Sequence, residues 1–265
     1  MYDPMLAKFW AAHKHKIQYP VFVQPKINGV RLLVDAEGNT CSRRHKPLNV
    51  PEEVLEELSA FLPLELDGEL YLHGFPLSRI SGNARRIVNR KQDLPLEYYI
   101  FDFFDPVLIF KDRLQILESC FQVFREQFPV SRIKLVPTTI VHKEKQILSL
   151  FERYIEQGYE GGIIRINAPY VQGRTDKLLK HKPWTYVNVL VTSTVEGKGK
   201  YKGMLGALVV TKDNWSCNVG SGFVDQDRKE IWENRKRIKG KTIKIKYLEL
   251  TAYGIPYSPI FVDFK

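Results

Sequence analysis

Lys26 lies in the segment Pro25-Lys26-Ile27-Asn28-Gly29-Val30-Arg31, between an apolar stretch and the turn signal Asn-Gly. A lysine held between a strand and a tight turn projects its amine into whatever cleft lies beside it. To act as a nucleophile an amine must lose its proton, and burial with neighbouring cations favours that loss. Alone, this lysine reads as a solvated side chain beside a turn. Four further segments change that reading. Leu66-Asp67-Gly68-Glu69 sets two carboxylates around a glycine. Tyr98-Tyr99-Ile100-Phe101-Asp102 joins aromatic rings to an acid on a strand. Glu160-Gly161-Gly162-Ile163-Ile164-Arg165 sets an acid before a glycine pair and an apolar run. Leu178-Leu179-Lys180-His181-Lys182 places two lysines on one strand face, because positions i and i+2 point the same way. Singly these are a hairpin acid, a core strand, a turn acid and a solvated face. Jointly they supply what a nucleoside triphosphate needs: cations around its phosphates and carboxylates for a hard divalent ion.

In this order and spacing the five segments resemble those of the covalent nucleotidyltransferases. The resemblance is closest to the minimal ATP-dependent DNA ligases of viruses and bacteria, and it runs along nearly the whole chain. It implies ATP and Mg2+ as cofactors, and nicked double-stranded DNA as the partner; a monomer is expected because no assembly segment is evident. Lys26 would attack the α-phosphorus of ATP and carry AMP as a phosphoramidate. Arg31 would contact the ribose and help order the nick end, and Gln24 would read the adenine edge. Glu69 would hold a ribose hydroxyl and, with Glu160, serve the metal. Phe101 would stack on adenine. Lys180 and Lys182 would neutralise the α-phosphate, and Arg174 would meet AMP and the nick phosphate. Arg43, in Ser42-Arg43, would grip the 5′-phosphate of the nick. Lys198, Lys200 and Lys202 would meet the DNA backbone, a sequence-blind contact, unless their loop is merely solvated. Two departures stand out. Asn28 occupies the aspartate position of the family motif K-x-D-G-x-R, and Lys265 stands where the C-terminal R-x-D-K motif has an arginine. The rival readings are an RNA ligase or capping guanylyltransferase of the same superfamily, and a non-catalytic nucleic-acid binding protein.

The elements that position these residues follow from pattern. A short helix is expected near Met5–Ala12, and strands at Val21–Gln24, Val30–Asp35 and Cys41–Arg43. Gly29 is expected to use positive φ in the Asn-Gly turn. Pro51-Glu52-Glu53 starts a helix. Leu64–Leu72 reads as a strand broken at Gly68, and Leu77–Asn89 as a helix carrying Arg79, Arg85 and Arg86 and leading to Arg90. Glu97–Phe104 reads as a strand buried on both faces. Apolar residues at helical spacing mark helices through Leu114–Phe124 and Ile147–Ile155. Gly161–Ile166 and Lys177–Lys182 read as strands.

From Thr185 short strands follow at Val187–Val195, Leu205–Thr211, Trp215–Val219, Thr242–Leu250 and Ile260–Phe264, with a helix at Asp225–Arg237. Five strands and one helix suit a small Greek-key OB barrel. The fold class is therefore α+β: an adenylation domain of antiparallel sheets with flanking helices over 1–184, then an OB-fold over 185–265. Trp184, Trp215 and Trp232 belong to core or interface packing before base stacking.

Composition sets the frame. The chain has 265 residues, 44% of them hydrophobic, enough for a core. Its net charge of +10 favours a polyanionic partner. Fourteen basic and eight acidic residues fall after Trp184, so this last third is the more basic part. The three cysteines, Cys41, Cys120 and Cys217, form neither a disulfide framework nor a zinc knuckle. No apolar run is long enough to span a membrane, and the N-terminus lacks a signal-peptide h-region; the expectation is a cytoplasmic protein. Gly240-Lys241-Thr242 lacks the upstream glycine of a P-loop, since Arg235 stands there.

Overall fold

In the computed structural model the apolar run before Lys26 is a strand, Val21–Pro25, with all five side chains buried. It belongs to the first of two compact units, Met1–His181 and Lys182–Lys265. The structure describes residues 1–87, 93–248, 250–251 and 253–265. The first unit runs β1 (Met5–Phe9), α1 (Trp10–His13), β2 (Val21–Pro25), β3 (Val30–Val34), β4 (Thr40–Ser42), α2 (Glu52–Glu57), β5 (Leu66–Tyr71), α3 (Leu77–Ala84) and β6 (Glu97–Phe103). It continues with α4 (Phe110–Gln127), β7 (Ile133–Leu135), β8 (Thr139–Val141), α5 (Glu144–Glu156), β9 (Gly162–Arg165) and β10 (Gly173–His181).

These strands form two five-stranded sheets, ordered β1-β10-β9-β2-β8 and β4-β3-β5-β6-β7. Each is antiparallel apart from one parallel pair, β1 with β10 and β6 with β7. Helix α4 buries Phe110, Leu114, Leu117, Phe121 and Phe124, a helical stripe, and the last three join Phe61 and Tyr98 in the larger core. Helix α5 buries Ile147, Leu150, Phe151 and Tyr154 against the first sheet's core. Its approach is close. A Cβ on Gly162 would lie within 2.1 Å of the Phe151 ring, so that position of β9 tolerates no side chain.

Several expectations need correcting. The segment expected to begin as a helix at Met5 is strand β1, and only Trp10–His13 is helical. Pairing with β10, 168 residues away, overrides a local helical preference; Met5 N–H also donates to the Tyr170 hydroxyl. Strand β6 is not buried throughout: Tyr98, Ile100, Asp102 and Phe103 are buried, while Tyr99 and Phe101 are half-buried. The break foreseen at Gly68 is a register shift in the β5–β6 ladder between Asp67 and Gly68. Strands β7 and β8, three residues each, carry too little pattern to be seen in sequence. Helix α3 ends at Ala84; Val88 and Asn89 of the expected helix, and Arg90 after it, lie outside the described residues.

The second unit holds β11 (Thr185–Glu196), β12 (Leu205–Lys212), β13 (Trp215–Val219), α6 (Asp225–Glu233), α7 (Arg235–Ile238), β14 (Thr242–Tyr247) and β15 (Ile260–Phe264). All four ladders of its sheet, β13-β12-β11-β14-β15, are antiparallel. The sheet's two edges meet at one parallel bridge, Ser221 with Ile260, rather than along a full ladder. The expected single helix is interrupted at Asn234, and β14 stops at Tyr247, with Glu249 outside the described residues. Trp215 and Trp232 pack on this unit's core, and the Lys246 ammonium lies 4.9 Å from the Trp184 ring. Among the described residues no helix is long and apolar enough to cross a membrane.

Candidate active site

Strands β2 and β3 flank Asn28-Gly29 yet do not pair with each other. Strand β2 lies between β8 and β9 in one sheet, and β3 between β4 and β5 in the other. The Lys26 segment is therefore a crossing between sheets, not a hairpin. It is pinned on both sides: Lys26 N–H donates to Gly161 O at 2.9 Å, and Glu160 N–H donates to Lys26 O at 3.1 Å. Gly29 is not among the residues with positive φ. It is glycine for space, because a Cβ would sit 2.2 Å from Leu70 O, and its N–H donates to Glu69 Oε1 at 3.0 Å.

Between the sheets opens a cleft of about 880 Å³. The structure brings Lys26, Arg31, Arg43, Glu69, Phe101, Arg174 and Lys180 to its wall. Phe101 is the one aromatic residue among the described lining residues. The Lys26 ammonium contacts the Glu160 carboxylate directly, both side chains being about one-fifth exposed. Glu160 itself faces a smaller recess that it shares with Asn28, Tyr71 and Tyr159. Arg31 holds Asp67 through both Nε (2.7 Å) and Nη2, and Nη1 donates to Met5 O at 2.9 Å. Burial works against the Arg31 charge, yet the adjacent Asp67 carboxylate outweighs it and raises the guanidinium pKa. Burial likewise pushes the Glu69 carboxyl up, and Lys26 and Arg31 only partly offset that. Arg174 Nη1 donates to Ala7 O at 2.8 Å, and the Lys180 ammonium lies 4.4 Å from the Phe9 ring.

Gln24 stands behind this wall, not on it. It is buried, with Nε2 donating to Phe101 O (3.2 Å) and Thr138 Oγ1 (2.9 Å), and Oε1 accepting from Arg165 Nε (2.7 Å). Lys182 falls after β10, at the start of the second unit. Lys198, Lys200 and Lys202 are exposed on the loop between β11 and β12. That loop is anchored at its centre, where Tyr201 stacks under the buried Arg228 guanidinium at 4.4 Å.

Sequence reasoning missed several residues. Arg44, Lys46 and Arg85 also line the cleft. The first two sit on the turn after β4, where Ser42 N–H donates to Lys46 O and Ser42 Oγ accepts from Lys46 N–H. The run Arg43-Arg44-His45-Lys46 was the available signal. The buried group Asp102, Arg113 and Arg165 was also missed as a unit. Among the described residues no cluster of three or more His, Cys, Asp or Glu converges as a metal cage. Glu69 and Glu160 are two carboxylates, which suits Mg2+, an ion commonly held by one or two carboxylates plus substrate phosphates.

Comparison with known proteins matches both units to DNA ligase domains. Residues 4–182 match the family model "ATP dependent DNA ligase domain", and residues 196–265 match "DNA ligase OB-like domain". A DNA ligase of African swine fever virus is 29% identical over 100% of this chain and 69% of its own length. A DNA ligase of Haemophilus influenzae is 28% identical, covering 87% of this chain and 81% of its own. A solved Lig E DNA ligase shares the fold, with a TM-score of 0.71 over 100% of both chains at 22% identity.

Proposed function

The chain belongs to the ATP-dependent DNA ligase family, and from that premise we propose that it seals nicks in duplex DNA through AMP carried on Lys26. The observation that carries this reading is the Lys26 amine at the wall of a cleft that also holds one aromatic ring, a buried carboxyl and a bank of cations. In the first step Lys26 Nζ bonds to the α-phosphorus of ATP and pyrophosphate leaves. In the second a 5′-phosphate oxygen of the nick bonds to the same phosphorus and Lys26 departs. In the third the 3′-hydroxyl oxygen attacks the 5′-phosphorus, AMP leaves and the phosphodiester is complete. Such transfers depend on positioning and charge placement more than on covalent chemistry by the protein.

The residues divide this labour. Glu160 touches the Lys26 ammonium and so offers the departing proton an acceptor. Phe101 stacks the adenine, and Gln24, buried behind the wall, holds the Phe101 carbonyl. Glu69 takes a ribose hydroxyl. Arg31, fixed by Asp67, faces the ribose and the nick end. Arg174, Lys180 and Lys182 meet the α-phosphate. Glu160 and Glu69 would hold Mg2+, which neutralises phosphate charge when bound. Arg43, with Arg44, Lys46 and Arg85, takes nick-strand phosphates; among the described residues none of these four is in an ion pair. Residues 1–184 form the adenylation domain, and 185–265 a DNA-binding domain whose Lys198, Lys200 and Lys202 follow the backbone. The enzyme acts as a monomer in the cytoplasm. The test is sealing of an end-labelled nicked duplex with ATP and Mg2+. Wild-type protein should seal it, and Lys26→Ala should fall below detection; sealing by Lys26→Ala overturns the assignment.

A further inference from the structure

The role of Phe101 as base platform rests on the reading above, but that reading leaves open what fixes the platform. We infer that Arg165, acting through Gln24 and Asp102, sets the width of the base slot between the two sheets and is thereby a positioning residue for nucleotide choice. The slot has two walls. Phe101 comes from β6 in one sheet and Ile163 from β9 in the other, and both line the cleft. In the β2–β9 ladder Ile163 lies directly opposite Gln24. Arg165 lies two residues on from Ile163, so all three share the sheet face that looks toward Phe101.

From that face Arg165 bridges to the other sheet. Its Nε donates to Gln24 Oε1 at 2.7 Å, and its Nη1 donates to Asp102 Oδ2 at 2.6 Å. Gln24 Nε2 then donates to Phe101 O at 3.2 Å. The linkage thus closes on two consecutive residues of β6, one of them the platform itself. Asp102 is held from the far side by Arg113, through Nε at 2.8 Å and Nη2 at 3.1 Å. The guanidinium carbons of Arg165 and Arg31 lie 5.3 and 5.2 Å from the Phe101 ring centroid, within cation–π range. The ring cannot slide without losing one of these contacts. Arg165, Asp102 and Gln24 are each nearly inaccessible to solvent. Buried charges of this kind are weak contributors to stability, whereas they impose one geometry on the groups they join. A planar guanidinium reaches Gln24 and Asp102 in fixed directions; an ammonium is a point charge without that fork.

The experiment measures self-adenylation in single turnovers at varied ATP and at varied GTP, for wild type, Arg165→Lys and Gln24→Met. A loosened slot should raise the half-saturating ATP concentration about tenfold or more, with a much smaller loss of maximal rate. The preference for ATP over GTP should shrink in both variants, and affinity for nicked DNA should not change. Gln24→Met keeps the Arg165–Asp102 pair, so it decides the matter if Arg165→Lys does not fold. Unchanged half-saturation and unchanged ATP preference in a folded variant would overturn the inference while leaving the ligase reading intact. A loss that falls equally on ATP and GTP, in step with a lower melting temperature, would also overturn it, since that is a structural role only. Failure of wild-type protein to acquire AMP would instead remove the ligase reading and this inference with it.

Discussion

The cleft of the first unit and the basic loop of the second both present cations, but they hold them in opposite ways. In the cleft Lys26 touches Glu160, and Arg31 is forked onto Asp67. Behind it, Arg165 and Arg113 share Asp102. Each of these four cations has a fixed acid partner, whereas Arg43, Arg44, Lys46 and Arg85 on the cleft wall have none among the described residues. Lys198, Lys200 and Lys202 ride exposed on a loop held by backbone hydrogen bonds and by Tyr201 beneath Arg228, with no carboxylate paired to them among the described residues. The difference matches the task. A displacement at phosphorus tolerates little misplacement of the reacting atoms. A phosphate backbone asks only for positive charge at roughly the right spacing.

If that contrast is right, substitutions in the two regions should fail differently. The largest effect after loss of Lys26 itself is expected at Asp67, whose carboxylate is fully buried between Arg31 and Tyr170. Asp67→Asn leaves the Arg31 charge uncompensated and should cost about 3–5 kcal/mol of stability, with sealing falling further than folding explains. Thermal unfolding and single-turnover sealing, run side by side, check both parts. Retention of full activity and stability would mean that Arg31 needs no fixed partner. The triple change of Lys198, Lys200 and Lys202 to alanine should act on binding alone. The slope of log affinity for nicked DNA against log salt should fall by about 2–3, because each phosphate contact contributes about 0.9 on B-form DNA. Self-adenylation should be unaffected, and a matching loss of adenylation would erase the contrast.

The smallest effect on folding stability is expected from Glu69. Burial raises its carboxyl pKa, so ionising it costs stability. The contribution of the neutral form is fully present below the unfolded-state pKa and is lost as pH rises through the higher folded-state value. Glu69→Gln should therefore melt higher than wild type at neutral pH, and the gap should close as pH falls below the usual glutamate range. A gap that widens in acid would contradict the burial argument.

The contrast also governs what could be read from sequence. Lys26, Glu69, Phe101 and Lys180 announce themselves because each sits in a short run whose neighbours repeat a known pattern. Their supports do not. Asp102, Arg113 and Arg165 come together only through tertiary folding, on β6, α4 and β9, and no local spacing links them. Gln24 has the same difficulty: its neighbour in sequence is the Lys26 segment, but its hydrogen bonds run to Phe101, Thr138 and Arg165. Strand β1 was legible as an apolar segment and illegible as a strand, since its partner β10 lies at the other end of the unit. Gly29 does not use the positive φ expected of it; it is glycine because of the nearby Leu70 carbonyl, which sequence does not show. Long strands and amphipathic helices such as α4 and α5 carry enough periodicity to be placed from pattern alone.

The most direct test of the whole account is the intact mass of the protein after incubation with ATP and Mg2+, taken before and after adding nicked duplex DNA. The account predicts a gain of one AMP that is absent in Lys26→Ala, and that disappears on nicked DNA as sealed product accumulates. A gain of AMP that persists in Lys26→Ala, or that nicked DNA fails to discharge, would contradict it.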